Sequence, residues 1–222
     1  DRAPLVIRLR KLNAEGGDEE TAESWRRRGR LLRQLGYISE NLYVLEHLKM
    51  AEAAFKKAVI LAPADAVNWG EWGVTALYRG NLANAREAWN RTSLIDSASF
   101  VSLFLGGQVS RQTGQLERAV GYFAAATSKA RGSGEQVRAL SAQAEALCTG
   151  LGRCAEAVPL HEKILALRPR QAARLRLAAQ DFERAGLHDR ALRLERKATA
   201  IQAKVDSGEA EVRVPSSTPK PK

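Results

Sequence analysis

The sequence predicts an all-α solenoid of about five stacked helical hairpins, and three observations carry that prediction. Residue identities recur every 34 positions, the composition favours helix throughout, and each recurring unit places a glycine where a helix must turn back. A period of roughly 20–50 residues marks a repeat architecture, in which each unit buries its apolar face against the next.

The recurrence is read directly from the chain. Ala51, Ala85 and Ala119 are spaced by 34 residues, and so are Phe55, Trp89 and Phe123. Gly73 and Gly107 keep the interval, as do Gly80 and Gly114. The frame then slips by four residues, which the sequence places in the Arg131-Gly132-Ser133-Gly134 loop. Beyond it, Gly152 and Ala157 are matched 34 residues later by Gly186 and Ala191. In each unit the glycine can adopt the left-handed conformation that closes a first helix. The alanine five residues on keeps the antiparallel helices close, where a larger side chain would overpack. The aromatic then fills the space toward the next hairpin, and Pro63 and Pro169 follow second helices that proline cannot continue.

Composition agrees. Of 222 residues, 45% are apolar and 6% aromatic. Alanine, leucine, arginine and glutamate dominate, all good helix formers apart from any context. No stretch approaches the roughly eighteen apolar residues of a membrane-spanning helix. The units are expected at 18–65, 66–99, 100–137, 138–171 and 172–205. Before them, residues 1–17 carry Leu5, Leu9 and Leu12 on one helical face, which predicts a short helix. Asp18 reads as the cap of the next helix, with Glu19, Glu20 and Glu23 in its first turn. The first unit has about ten extra residues around Y-I-S-E-N-L-Y-V-L-E-H, expected to lengthen its second helix from a cap at Ser39 to about Ala62. Such a long helix would suit docking or simply cover the open end of the core. The tail 206–222 is rich in proline, serine and lysine and is expected to be extended or disordered.

These residues resemble the tetratricopeptide repeat (TPR) family, whose pattern is W-x2-L-G-x2-Y, then A-x3-F-x2-A, then P. Trp69, Trp72 and Gly73 match its first half, and Ala51, Phe55, Ala58 and Pro63 its second. The resemblance covers roughly 22–205 and implies a right-handed superhelical solenoid. It departs where His161 and Glu195 replace the large apolar residue of the fourth and fifth units.

In this family the first helix of each hairpin lines a concave groove that grips a peptide or a partner helix. The resemblance therefore implies a groove formed by Arg26, Arg30 and Arg33, then Val67, Gly70, Val74 and Tyr78. Val101, Phe104, Gln108 and Arg111 follow, and Arg176, Gln180 and Arg184 belong to the fifth unit. That groove would be apolar at its centre and basic at both ends, suiting an extended or helical protein segment with acidic flanks. Members that clamp the terminal carboxylate of chaperones use lysines and asparagines. The matching positions here are Arg26, Arg30, Gly70, Val74, Phe104 and Gln108, so that clamp is not reproduced.

The net charge of +10 raises nucleic acid as a partner. The basic residues are dispersed and no nucleic-acid-binding motif accompanies them, which argues for solvated helix faces instead. His47, His161 and His188 lack metal-ligand spacing. No phosphate loop, nucleophile elbow or H-E-x-x-H appears, so neither a cofactor nor catalysis is expected. Cys148 and Cys154 bracket the turn of the fourth hairpin. Two readings stay open for them: a disulfide in an oxidising compartment, or two buried thiols of a cytoplasmic repeat. With a chain that begins at Asp1, the former favours an exported, periplasmic bacterial protein.

Three functions fit. The first is a non-catalytic interaction scaffold or assembly subunit of a bacterial envelope complex. The second is a periplasmic module of exopolysaccharide export, which would need aromatic platforms with acidic or amide partners; Tyr78 and Phe104 are the sequence candidates. The third is a basic solenoid associated with nucleic acid, whose binding would fall steeply with salt.

Overall fold

The protein is described by a computed structural model over residues 3–15, 21–39 and 42–207. These residues form two compact units, one reaching to Ala146 and the other starting at Leu147. The Asp18 cap and most of the tail lie outside the described residues.

The first unit opens with α1 (Ala3–Glu15), whose Leu9 packs against the core. Three hairpins follow: α2 (Ala22–Gly36) with α3 (Leu45–Leu61), α4 (Ala66–Tyr78) with α5 (Leu82–Asp96), and α6 (Phe100–Gln112) with α7 (Leu116–Lys129). Helix α8 (Ser133–Glu145) closes the unit. Helix α2 starts at Ala22, and its cap is Thr21, whose hydroxyl accepts from the Ser24 amide at 3.1 Å. Asp65, Asn81 and Ser99 cap α4, α5 and α6 in the same way, each satisfying an amide that the helix cannot.

The packing follows the repeat. Ala51, Ala85 and Ala119 are fully buried, as are Phe55 and Phe123. A methyl group on Gly107 would come within 2.5 Å of the Phe123 ring, and one on Gly29 within 2.7 Å of Phe55. The glycine of a first helix is thus the seat for the aromatic of its second. The glycines that end first helices, Gly80 and Gly114, have φ of 73° and 76°, a conformation that glycine reaches without a Cβ penalty.

The inserted residues of the first unit do not lengthen α3. They form a short antiparallel pair, β1 (Tyr37–Ser39) with β2 (Leu42–Tyr43), in which Tyr37 faces Tyr43. The Val44 amide donates to the Gly36 carbonyl at 2.7 Å and closes its base. Aromatic and β-branched residues, here Tyr37, Ile38, Tyr43 and Val44, favour the extended backbone over helix. Helix α3 therefore begins at Leu45 rather than near Ser39.

The four-residue slip also falls elsewhere than the sequence places it. Helix α6 begins at Phe100 and α8 at Ser133, so the frame passes the 131–134 loop almost unchanged. Arg111 and Glu145, 34 positions apart, still meet side chain to side chain. The extra residues fall after Glu145, where the helix runs about a turn further than α6 and passes through a π-helical turn, Ala146–Gly150, that takes up one of them. The Arg153 amide donates to the Leu147 carbonyl, one residue wider than the bond from Gln115 to Ser110 in the third hairpin. Insertions in a helix are commonly absorbed as such single π turns.

The second unit holds α9 (Cys154–Leu167) and the hairpin of α10 (Ala172–Arg184) with α11 (His188–Asp206). A disulfide joins Cys148 to Cys154, with Cα atoms 4.0 Å apart. In this unit Val158, Ala178, Ala179, Phe182 and Ala191 pack together, and Ala157, Leu160, Ile164, Leu175 and Ala198 are also buried. His161 occupies the frame position of the aromatic and is buried. Its Nε2 lies 2.8 Å from Asp181 Oδ2, which links α9 to α10, and its ring meets the Phe182 ring edge-on. Arg184 contacts the other Asp181 oxygen at 3.2 Å.

Candidate partner-binding groove

In the first unit the first helices of successive hairpins, α2, α4 and α6, lie side by side with α8. The face that they share carries most of the residues assigned to a groove by sequence. Arg176, Gln180 and Arg184 lie on α10 of the second unit, and the site below is built from the first unit alone.

Two depressions open on this face. The smaller, of about 100 Å³, lies between the N-terminal halves of α4 and α6 and is lined by Val67, Gly70, Val74, Val101 and Phe104, with Glu71, Glu135 and Arg138 at its margin. The larger, of about 490 Å³, lies between the C-terminal halves and is lined by Val74, Leu77, Tyr78, Gly80, Gln108, Arg111, Gln112 and Glu145. Every sequence-assigned groove position on α4 and α6 therefore borders one of the two.

Their roles differ. Val67 and Tyr78 are exposed. Val74 and Phe104 are buried and belong to the core: Phe104 stacks on Phe100 at 5.5 Å and tilts against Phe123, with the Arg138 guanidinium 4.8 Å above its ring. Gly70 has no room for a side chain because Val101 fills the space, so it lets α4 and α6 approach. The solvent-accessible part of this face is thus Val67, the half-buried Val101 and the rim around Tyr78 and Gln108, over a floor of Gly70, Val74 and Phe104.

The arginines of α2 are not the free basic end that the sequence suggested. Arg26 donates to Asp65 at 2.6 Å and to Asn68 at 3.1 Å. Arg30 and Arg33 both donate to the carboxylate of Glu71, at 2.7 and 2.5 Å, and Arg33 also reaches the Thr75 hydroxyl at 3.0 Å. Burial alone would push the Glu71 carboxyl up. The charges and hydrogen bonds of Arg33 and Arg30 overcome this and hold its pKa at about 2. Glu71 was missed because its partners are 38 and 41 positions away. The available signal was the spacing of Arg26, Arg30 and Arg33 along one helix face, opposite a helix with a single acid.

At the other end, Arg111 pairs with Glu145 of α8 at 2.5 Å. The inserted hairpin contributes here too: Tyr43 stacks on Tyr78 at 4.8 Å and meets Tyr37 edge-on at 5.5 Å. Burial, and then the adjacent Tyr78, raise the Tyr43 phenol above its usual range. Among the described residues no group of three or more histidine, cysteine or acidic side chains could hold a metal ion. No described helix is long and apolar enough to cross a membrane.

This arrangement of paired helices with glycine turns and buried frame alanines is the TPR fold. Solved structures agree. A chain of the anaphase-promoting complex hetero-tetramer Cut9–Hcn1 superposes with a TM-score of 0.75 at 14% identity, covering 93% of this chain and 39% of that one. MamA from Desulfovibrio magneticus RS-1 gives 0.60 at 14% identity over 85% of this chain and 98% of its own. YrrB, described as a TPR protein with an unusual peptide-binding site, gives 0.53 at 17% identity over 89% and 97%. No family model and no curated protein matches the sequence.

Proposed function

We propose that this chain is a non-catalytic interaction scaffold that holds a segment of a partner protein against α4 and α6. The observation that carries the reading is the exposed Val67 with the half-buried Val101 beside it, at a depression floored by core residues. Apolar side chains held at the surface on rigid helices are suited to anchoring a peptide side chain without reordering. YrrB and the Cut9–Hcn1 assembly, which bind a peptide and a partner chain by their own descriptions, support this class of function. Arg176 and Gln180 are proposed as further partner contacts on α10.

The partner segment is extended or helical and apolar; Arg26, Arg30, Arg33 and Arg111 already face Asp65, Glu71 and Glu145, so acidic flanks would have to be read elsewhere. The same pairing weakens the case for nucleic acid, since the densest arginine cluster is spent within the fold. The Cys148–Cys154 disulfide supports an oxidising compartment and hence assembly of a complex in the bacterial envelope.

A displayed random-peptide library tests this reading. It should yield ligands with a shared apolar anchor, whose affinity falls about tenfold or more in Val67→Glu/Val101→Glu as a charge enters the apolar contact. Circular dichroism should show helicity unchanged. Failure to select any ligand, or ligands indifferent to the double variant, would refute the groove.

A further inference from the structure

The larger depression carries chemistry that an apolar anchor site does not need. Its wall at the end of α4 is Tyr78, 40% exposed. Behind that ring, the inserted hairpin stacks Tyr43. On α6 stand two amides, Gln108 and Gln112, one helical turn apart, and the Arg111–Glu145 pair completes the lining. Those two charges cancel, so the cleft is polar without net sign. Its volume of about 490 Å³ falls among ligand pockets, which span roughly 300–1,000 Å³.

We propose that this cleft binds a neutral oligosaccharide, at a site distinct from the Val67–Val101 depression. A sugar ring has an apolar C–H face and a rim of hydroxyls, each of which donates and accepts. Tyr78 offers the flat apolar surface for the C–H face, and the stack with Tyr43 holds the ring in place. Each glutamine supplies a carbonyl acceptor and an amide donor, Arg111 only donates, and Glu145 only accepts. Because Arg111 and Glu145 neutralise each other, a hydroxyl can bridge to either without stranding a charge. A peptide strand has one N–H and one C=O per residue and would leave several of these groups unmatched, which is costly once water is displaced. The absence of net charge in the lining argues against a phosphate or carboxylate as the main ligand.

The test is a ¹H–¹⁵N NMR titration of the full chain with cellotriose, maltotriose and triacetylchitotriose, with N-acetyl-triglycine amide as the peptide control. At least one trisaccharide should bind in the millimolar range or tighter and shift the side-chain amide signals of Gln108 and Gln112. Tyr78→Ala should weaken binding about tenfold and Gln112→Ala about threefold, as expected for one lost ring contact and one lost hydrogen bond. Tyr78→Phe should stay close to the parent. Removing the ring beneath Tyr43 also disturbs the hairpin, so the exposed Gln112 carries the decisive variant. Val67→Glu should leave sugar binding intact, which separates this site from the peptide groove. The proposal is overturned if no trisaccharide moves these signals, if the glycine peptide moves them instead, or if Gln112→Ala binds as the parent does.

Discussion

In the first unit the repeat position that packs between helices is filled by Phe55, Trp89 and Phe123, whereas in the second it holds His161 and Glu195. Phe55 and Phe123 are fully enclosed and sit on glycines of the facing helix. His161 is also buried, yet it is satisfied by Asp181 rather than by a glycine seat. The frame thus demands a filled volume with no polar atom left over, and either chemistry can meet that demand. The unit that uses the second solution is also the one that carries the disulfide. In a unit of this size a covalent staple adds to what the core supplies.

The comparison can be broken most forcefully at Phe123. Phe123→Ala should destabilise the first unit by about 3–5 kcal/mol, because Gly107 leaves nothing to fill the cavity. Urea unfolding followed by tryptophan fluorescence reads this directly, since all four tryptophans lie in the first unit.

A second effect, of about 3 kcal/mol, belongs to Glu71 and depends on pH. Its folded pKa of about 2 lies below the ordinary glutamate value of 4.5. Its contribution is therefore complete above pH 4.5 and is lost as the pH falls from there toward 2. Glu71→Gln should flatten the acid limb of the stability profile in that window. A variant that keeps the parent's slope would show that the Arg30 and Arg33 contacts contribute nothing.

The smallest effect should follow loss of the staple. Closing so short a loop constrains the unfolded chain by about 2 kcal/mol. Cys148→Ser/Cys154→Ser should raise hydrogen exchange in α9 to α11 by more than tenfold and leave α4 to α7 unchanged. An equal rise in both units would mean that the two are not independently stabilised.

The repeat was legible because packing leaves its mark at fixed intervals: the frame alanines, the turn glycines and the aromatic seats all lie where the 34-residue period puts them. The groove positions were assigned from the family resemblance, and their division of labour was not legible in it. Val74 sits one turn from the exposed Tyr78 and Phe104 one turn from the half-buried Val101 and Gln108, yet both are core, which is a matter of how deeply α4 and α6 interlock at Gly70. The Tyr37–Tyr43 hairpin lies in an insertion, where no periodicity exists to be read. The Glu71 pairs join residues about 40 positions apart, and only the stacking of α2 on α4 brings them together. The π turn went unseen because a shift of frame shows how many residues are extra and not which segment absorbs them.

The most direct test of the account is to map a library-selected peptide on the labelled protein by amide chemical shifts. The perturbed residues should lie on α4, α6 and α8, centred on Val67 and Val101, with the outward faces of α5 and α7 silent. A footprint on α5 and α7, or one absent from the first unit, would contradict the claim that this face is where the protein holds its partner.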